Sequence, residues 1–178
     1  LAASIRDYWD LNGRGDKLLL SFHGLPKSML DNGDPYHCQC LKTARLLAES
    51  LELDDDAWQL SFQSRVGREA WLTPYTDQTV RKLGPEKTAK LDVVAPGFAA
   101  DGLETLEELE IQNAGFFREA GGGELRYIPA LNARDDHISF LSRTIEKSVG
   151  GWQERSADWS VSEAARQMEK SLQRAKAM

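Results

Sequence analysis

An α/β fold is predicted: a parallel four-stranded sheet with helices on both faces, in a three-layer, Rossmann-type arrangement. Three observations lead there. Strand-like and helical patterns alternate four times along the chain, as βα crossovers over a parallel sheet do. The first strand segment, Lys17–Phe22, is a short apolar run that reads as buried. The length, 178 residues, suits one domain or a large part of a two-domain protein.

The elements follow in order. Residues 1–12 read as a helix, the end of an element whose beginning lies upstream. The chain opens on Leu1 in what reads as mid-protein sequence, so a trimmed piece of a longer protein is expected. Lys17–Phe22 is the first strand, followed by a loop carrying Gly24, Pro26, Gly33 and Pro35. A helix is expected from Tyr36 to Leu51, with Leu41, Ala44, Leu47, Ala48 and Leu51 on one side. Asp54-Asp55-Asp56 is a charged turn. Trp58–Gln63 is the second strand, and Asp77 to Gly84 a short helix ending at glycine. Leu91–Ala95 is the third strand, stopped by Pro96-Gly97. A long helix is expected from Asp101 to Phe117. Gly121-Gly122-Gly123 reads as a flexible turn. Glu124–Ile128 is the fourth strand, and Asp135 to Val149 the fourth helix of the alternating series. Past Gly150-Gly151 the chain is polar and alanine-rich, and 156–177 is expected to form an appended surface helix. The expected organisation is one α/β domain over 1–150 and a helical extension over 151–178.

Composition excludes several classes. The net charge is −6, which argues against broad nucleic-acid binding. No apolar run reaches membrane-spanning length, and no secretory signal is visible. Cys38 and Cys40 flank one residue. A disulfide across so short a gap would be strained, and with His37 they fall short of a closed metal site. Reduced thiols and a cytosolic setting are expected.

Right-handed crossovers put every strand's carboxyl end on one edge, where open α/β sheets bind ligands. His23, Ser64, Pro96 to Asp101 and Pro129 all fall there. His23 ends a strand, and Gly24 and Pro26 allow a tight turn that presents its ring. Imidazole can move protons or ligate a metal; a packed core histidine is the alternative. At about 100° per residue, Asp101, Glu104, Glu108 and Gln112 share one stripe of the long helix. Leu103, Leu106 and Leu109 fall opposite, toward the sheet, and Glu107 and Glu110 toward solvent. Glu104 and Glu108 are one turn apart, a like-charge spacing that favours a nearby cation. The other reading is an Asp101 cap and a solvated acidic face. Trp71 and Tyr75 flank Pro74 near the same edge, as loop packing or as stacking surfaces for a flat ligand. Tyr36 follows a Gly-Asp-Pro turn, either as a loop anchor or as a pocket residue. Arg65 and Arg68 read as carboxylate receivers or as solvated surface. His37 stays unassigned, and His137 reads as a helix residue.

Five segments together resemble the ferrochelatase family. They are Ser21-Phe22-His23-Gly24-Leu25-Pro26, Gly33-Asp34-Pro35-Tyr36, Gln63-Ser64-Arg65-Val66-Gly67, Trp71-Leu72 with Pro74, and Asp101-x-x-Glu104-Thr105-Leu106-x-Glu108-Leu109. The likeness covers about residues 1–150 and corresponds to the C-terminal half of the family. It implies a chelatase-like fold of two similar α/β halves around a porphyrin cleft, of which this is the second. It implies insertion of ferrous iron into a porphyrin, protoporphyrin IX to protoheme, in heme biosynthesis. His23 and Glu104 then resemble the catalytic and metal-site pair, with Asp101 and Glu108 as further metal-path acids. Tyr36, Trp71 and Ser64 resemble substrate-binding residues. Fe²⁺ is expected as substrate, with no tightly bound cofactor. No iron–sulfur cluster is expected, since Cys38 and Cys40 do not reproduce the family's C-terminal cysteine cluster. Gly102 stands where many members have a histidine. Expected partners are the porphyrin, Fe²⁺ and the missing N-terminal half, with transient membrane-surface contact and a cytoplasmic setting. Two other readings stand beside this one: a sirohydrochlorin-type chelatase, and a metal- or tetrapyrrole-binding module without turnover.

Overall fold

Four strands pair in parallel: β1 (Lys17–His23), β2 (Trp58–Gln63), β3 (Lys90–Val94) and β4 (Glu124–Ile128), in the order β2-β1-β3-β4. The computed structural model describes residues 1–86, 88–152 and 160–176. They fall into two compact units, Leu1–His137 and Ile138–Met178.

In the first unit both faces of the sheet are covered. Alternation along β1 sends Leu18, Leu20 and Phe22 to one side. There they pack with Ile5 of α1 (Ala2–Asn12) and with Cys40, Ala44 and Leu47 of α3 (Tyr36–Ser50). Leu19 points the other way. It meets Val80 and Leu83 of α4 (Thr76–Leu83), and Phe117 of α5 (Ala114–Glu119). Each buried side chain of this kind contributes roughly 1.5–3 kcal/mol. The chain winds from β1 outward to β2, then crosses back to β3 on the far side of β1. This reversal opens a crevice beyond the carboxyl ends of β1 and β3.

One buried charge pair locks the sheet to α1. Asp92 of β3 accepts bonds from Arg126 of β4 (2.8 Å), Trp9 Nε1 (2.7 Å) and the Gly15 N–H (2.8 Å). Arg126 also donates to the Asn12 and Gly13 carbonyls at the end of α1.

Several sequence expectations change. The loop after β1 contains a short helix, α2 (Lys27–Asp31). Leu41 is exposed, and Cys40 takes the buried position on α3. The Gly121-Gly122-Gly123 turn passes close to Ala89: Gly121 has φ +92°, and a Cβ on Gly123 would meet the Ala89 carbonyl.

The largest change concerns the long helix. Leu103–Asn113 is a π-helix, and only Ala114–Glu119 is α-helical. A π-helix bonds i→i+5 and is rare beyond a single turn. Side chains reinforce this one. Asn113 Nδ2 donates to the Glu108 carbonyl five residues back (2.7 Å), and Gln63 Nε2 donates to the Glu104 carbonyl (2.5 Å). The wider turn rotates the faces. Leu103 is 77% exposed and Leu106 45%, while Thr105, Leu109 and Asn113 form the buried line.

In the second unit lie the rest of α6 (Asp135–Val149) and α7 (Val161–Lys176). The division falls inside α6, ahead of the expected Gly150-Gly151 boundary. Of the rest of the expected 156–177 helix, Ser160 precedes α7, and 156–159 and 177 lie outside the described residues. Among the described residues no helix is long and apolar enough to cross a membrane.

Candidate functional site

The crevice holds a cleft of about 430 Å³, lined by His23, Ser64, Arg65, Val66, Leu103, Glu104, Glu107, Glu108 and Gln112. His23 is the last residue of β1, and its ring is half-buried. Trp71 and Phe98 flank it at 6.4 and 6.3 Å between ring centres. His23 Nδ1 lies 2.7 Å from the Gly24 carbonyl oxygen. A carbonyl only accepts, so Nδ1 carries the proton and Nε2 keeps a free lone pair. Gly24 is sterically required: a Cβ would stand 2.9 Å from the Gln63 carbonyl oxygen and 3.1 Å from the Trp71 ring.

Opposite lies the π-helix. Glu108 is held firmly. The Ser64 N–H donates to Oε1 (2.8 Å) and Ser64 Oγ to Oε2 (2.5 Å). Ser64 does this from a left-handed backbone, φ +62°, a conformation that non-glycine residues adopt chiefly where the surroundings demand it. Glu104 is held at its carbonyl, by Gln63. Its carboxylate is exposed to the cleft. Glu107, expected to face solvent, also lines the cleft and accepts from Gln112 (2.5 Å). Arg65 pairs with Asp77 (2.8 Å) and lies over the Tyr75 ring. Three carboxylates against one already paired guanidinium leave a negative field that draws cations.

Gln63 links the site to the core, and sequence reading gave it no role. It is 3% exposed. Its Oε1 accepts from Ser21 Oγ (2.7 Å) inside a buried hydroxyl chain of Ser21, Thr76 and Ser61. Its amide then faces the Glu104 carbonyl. The available signal was isolated polar residues, Ser21, Ser61 and Gln63, at strand positions that fall in the interior. A second cavity of about 170 Å³ adjoins the cleft. Asn113, 2% exposed, borders it, and its Oδ1 has no partner among the described residues.

Three expected site residues lie off the cleft lining. Asp101 sits before the π-helix with its carboxylate saturated, by Tyr127 Oη (2.7 Å), Asn132 Nδ2 (2.7 Å), the Ala130 N–H (3.2 Å) and Thr105 Oγ1 (3.1 Å). Burial alone would raise its pKa; these bonds outweigh burial and hold it below the usual carboxylate value. Tyr36 turns inward and donates to the His23 carbonyl (2.8 Å). Burial first, and Cys40 second, push its hydroxyl well above the ordinary tyrosine range. Trp71 packs its loop down, donating from Nε1 to the Val66 carbonyl (2.9 Å). Both aromatics therefore frame His23 from outside the lining. Of the remaining candidates, His37 stacks on Phe62 at 5.7 Å, and His137 is buried with Nδ1 2.8 Å from the Asn132 carbonyl oxygen. Among the described residues, no group of three or more His, Cys, Asp or Glu side chains could hold a metal ion.

Comparison with known proteins bears on the whole arrangement. The family model for ferrochelatase matches residues 1–149. This chain belongs to the ferrochelatase family. Curated proteins named ferrochelatase are similar along its length. That of Thioalkalivibrio sulfidiphilus is 52% identical over 178 residues, 100% of this chain and 48% of the relative. That of Nitrosococcus oceani is 51% identical over the same share of each. That of Nitrosomonas europaea is 49% identical over 93% of this chain and 46% of the relative. The chain thus spans about half the length of the curated ferrochelatases it matches.

Proposed function

We propose that the protein inserts ferrous iron into a porphyrin, protoporphyrin IX to protoheme, in heme biosynthesis. The observation that carries this reading is the shared cleft of His23 and Glu104 at the carboxyl end of β1. Two pyrrole N–H protons leave the macrocycle as Fe²⁺ enters. His23 Nε2, with its lone pair free, accepts a pyrrole proton or ligates the incoming iron, since an imidazole nitrogen can serve either role. Glu104 balances the cation's charge while it sheds water. Glu108, fixed by Ser64, is a preformed acceptor one step along the π-helix and passes on metal or protons. Asp101, its carboxylate already taken up by neighbouring donors, supports this acidic path by anchoring Thr105 at the start of the π-helix. Tyr36, Trp71 and Ser64 shape the porphyrin side: Tyr36 and Trp71 hold the His23 segment, and Ser64 holds the facing acid.

Iron is the substrate, and no resident cofactor or iron–sulfur cluster is needed; Cys38 and Cys40 both sit on α3, one exposed and one buried. The N-terminal half of the longer protein closes the porphyrin cleft from the other side. The setting is the cytoplasm, with transient contact to a membrane surface that holds the lipophilic porphyrin.

Porphyrin metallation by Fe²⁺ or Zn²⁺, followed by absorbance, tests this in the longer protein. His23→Ala and Glu104→Gln are expected to lower turnover by at least about 100-fold, the low end of what a positioned proton-transfer group contributes. The folded state should persist by circular dichroism. Turnover close to wild type in His23→Ala defeats the reading. A second reading applies to the 178-residue chain alone, because it spans half of its relatives: it binds metal or tetrapyrrole without turnover.

A further inference from the structure

The first turn of the π-helix has little packing to hold it. Leu103 and Glu104 are exposed, and Gly102 has no side chain. Only Thr105 is buried there. A helix start also leaves backbone N–H groups unsatisfied.

A surface asparagine supplies what packing does not. Asn132 follows β4 with φ +46°, in the left-handed region that asparagine tolerates better than most residues. From there its Oδ1 accepts from the Asp101 N–H (2.9 Å), and its Nδ2 donates to the Asp101 carboxylate (2.7 Å) and the Ala130 carbonyl (3.1 Å). Its own N–H donates to the Ala99 carbonyl (3.0 Å). His137 Nδ1 holds its carbonyl (2.8 Å). Asp101 passes the restraint inward. Thr105 Oγ1 accepts from the Gly102 N–H (3.0 Å) and lies 3.1 Å from both Asp101 Oδ1 and the Gly102 carbonyl oxygen, either of which can take its one proton.

We propose that Asn132 is a positioning residue for the metal-site carboxylate: by clasping Asp101 at backbone and side chain, it sets where the π-helix begins and so where Glu104 stands in the cleft. Glu104 is then held at two points, its carbonyl by Gln63 and its segment by the Asn132 clasp. This rests on the reading that Glu104 meets the metal. Asn132 never touches substrate.

The test compares Asn132→Gly, which keeps the left-handed turn and removes the clasp, with Glu104→Gln, in the full chain. Zn²⁺ affinity is read by calorimetric titration, and opening of the first π turn by amide hydrogen exchange at Glu104–Leu106. Asn132→Gly is expected to weaken Zn²⁺ binding and speed exchange at those amides by roughly tenfold, the scale of one or two lost hydrogen bonds. Exchange in β1 should not move. Asn132→Asp retains an acceptor for the Asp101 N–H but sets a second carboxylate against Asp101; it is expected to be at least as impaired. If Glu104→Gln lowers Zn²⁺ affinity while Asn132→Gly leaves both readouts at wild type, the clasp is overturned. Faster exchange with unchanged Zn²⁺ affinity overturns it too, since the asparagine would then serve the helix alone. If Glu104→Gln has no effect on Zn²⁺ binding, the metal reading of Glu104 fails, and this inference with it.

Discussion

His23 works through what surrounds it. Its proton sits on Nδ1 because the Gly24 carbonyl is the acceptor there, and the free Nε2 follows. Its backbone carbonyl is held by Tyr36, and its ring lies between Trp71 and Phe98. Gly24 is the residue on which this geometry is most sensitive. Gly24→Ala forces the Gln63 carbonyl and the Trp71 ring apart, at a cost of about 1–3 kcal/mol as in other overpacked sites. Urea unfolding should show that loss of stability, and tryptophan fluorescence should report the displaced indole. An unchanged midpoint and spectrum would mean the loop yields without strain.

The π-helix carries the acids, and its start depends on a single carboxylate. The pKa of Asp101 is lowered in the fold, so the ionised form is the one the fold favours. Its contribution to stability is present above the ordinary aspartate pKa of about 3.9 and is lost as pH falls through the lower folded value. Asp101→Asn should therefore remove part of the acid-side decline in melting temperature below about pH 4. Thermal melts between pH 2 and 7 check this; parallel curves for both proteins contradict it. This element was also the hardest to read in advance. Counting 100° per residue aligned Glu104, Glu108 and Gln112 correctly enough to share one cleft, yet it sent Leu103 and Leu106 inward and Glu107 outward, all three against the structure. The π form depends on donors from distant residues, such as Gln63 to the Glu104 carbonyl, and such partners leave no local periodicity. Asn132 was invisible for the same reason, since its meaning comes from Asp101, far back in the chain. By contrast, β2 matches its expected bounds and β1, β3 and α3 come within one residue. Apolar runs and turn residues carry that information locally.

Across the first unit, the sheet does two jobs with its two ends. Its carboxyl edge holds the cleft, and its body is locked by the buried Asp92–Arg126 pair with Trp9 and the end of α1. Breaking a buried pair leaves an uncompensated charge, so Arg126→Ala should cost about 3–5 kcal/mol, read from urea unfolding with the denaturant slope retained. A loss under about 1 kcal/mol would mean that water replaces the guanidinium freely. Nothing in the sequence marked this pair, because its members lie on different strands and meet only through the β3–β4 register. The four-stranded parallel sheet was legible from alternation, and with it the edge on which distant segments meet, whereas the strand order β2-β1-β3-β4 was not. What alternation could not say is which of those segments line the cleft.

The most direct measurement is Fe²⁺ insertion into porphyrin by the longer protein that contains this chain, wild type against His23→Ala, with porphyrin binding followed in parallel. Loss of metallation with porphyrin still bound is the predicted result. Metallation by His23→Ala at close to the wild-type rate would contradict it.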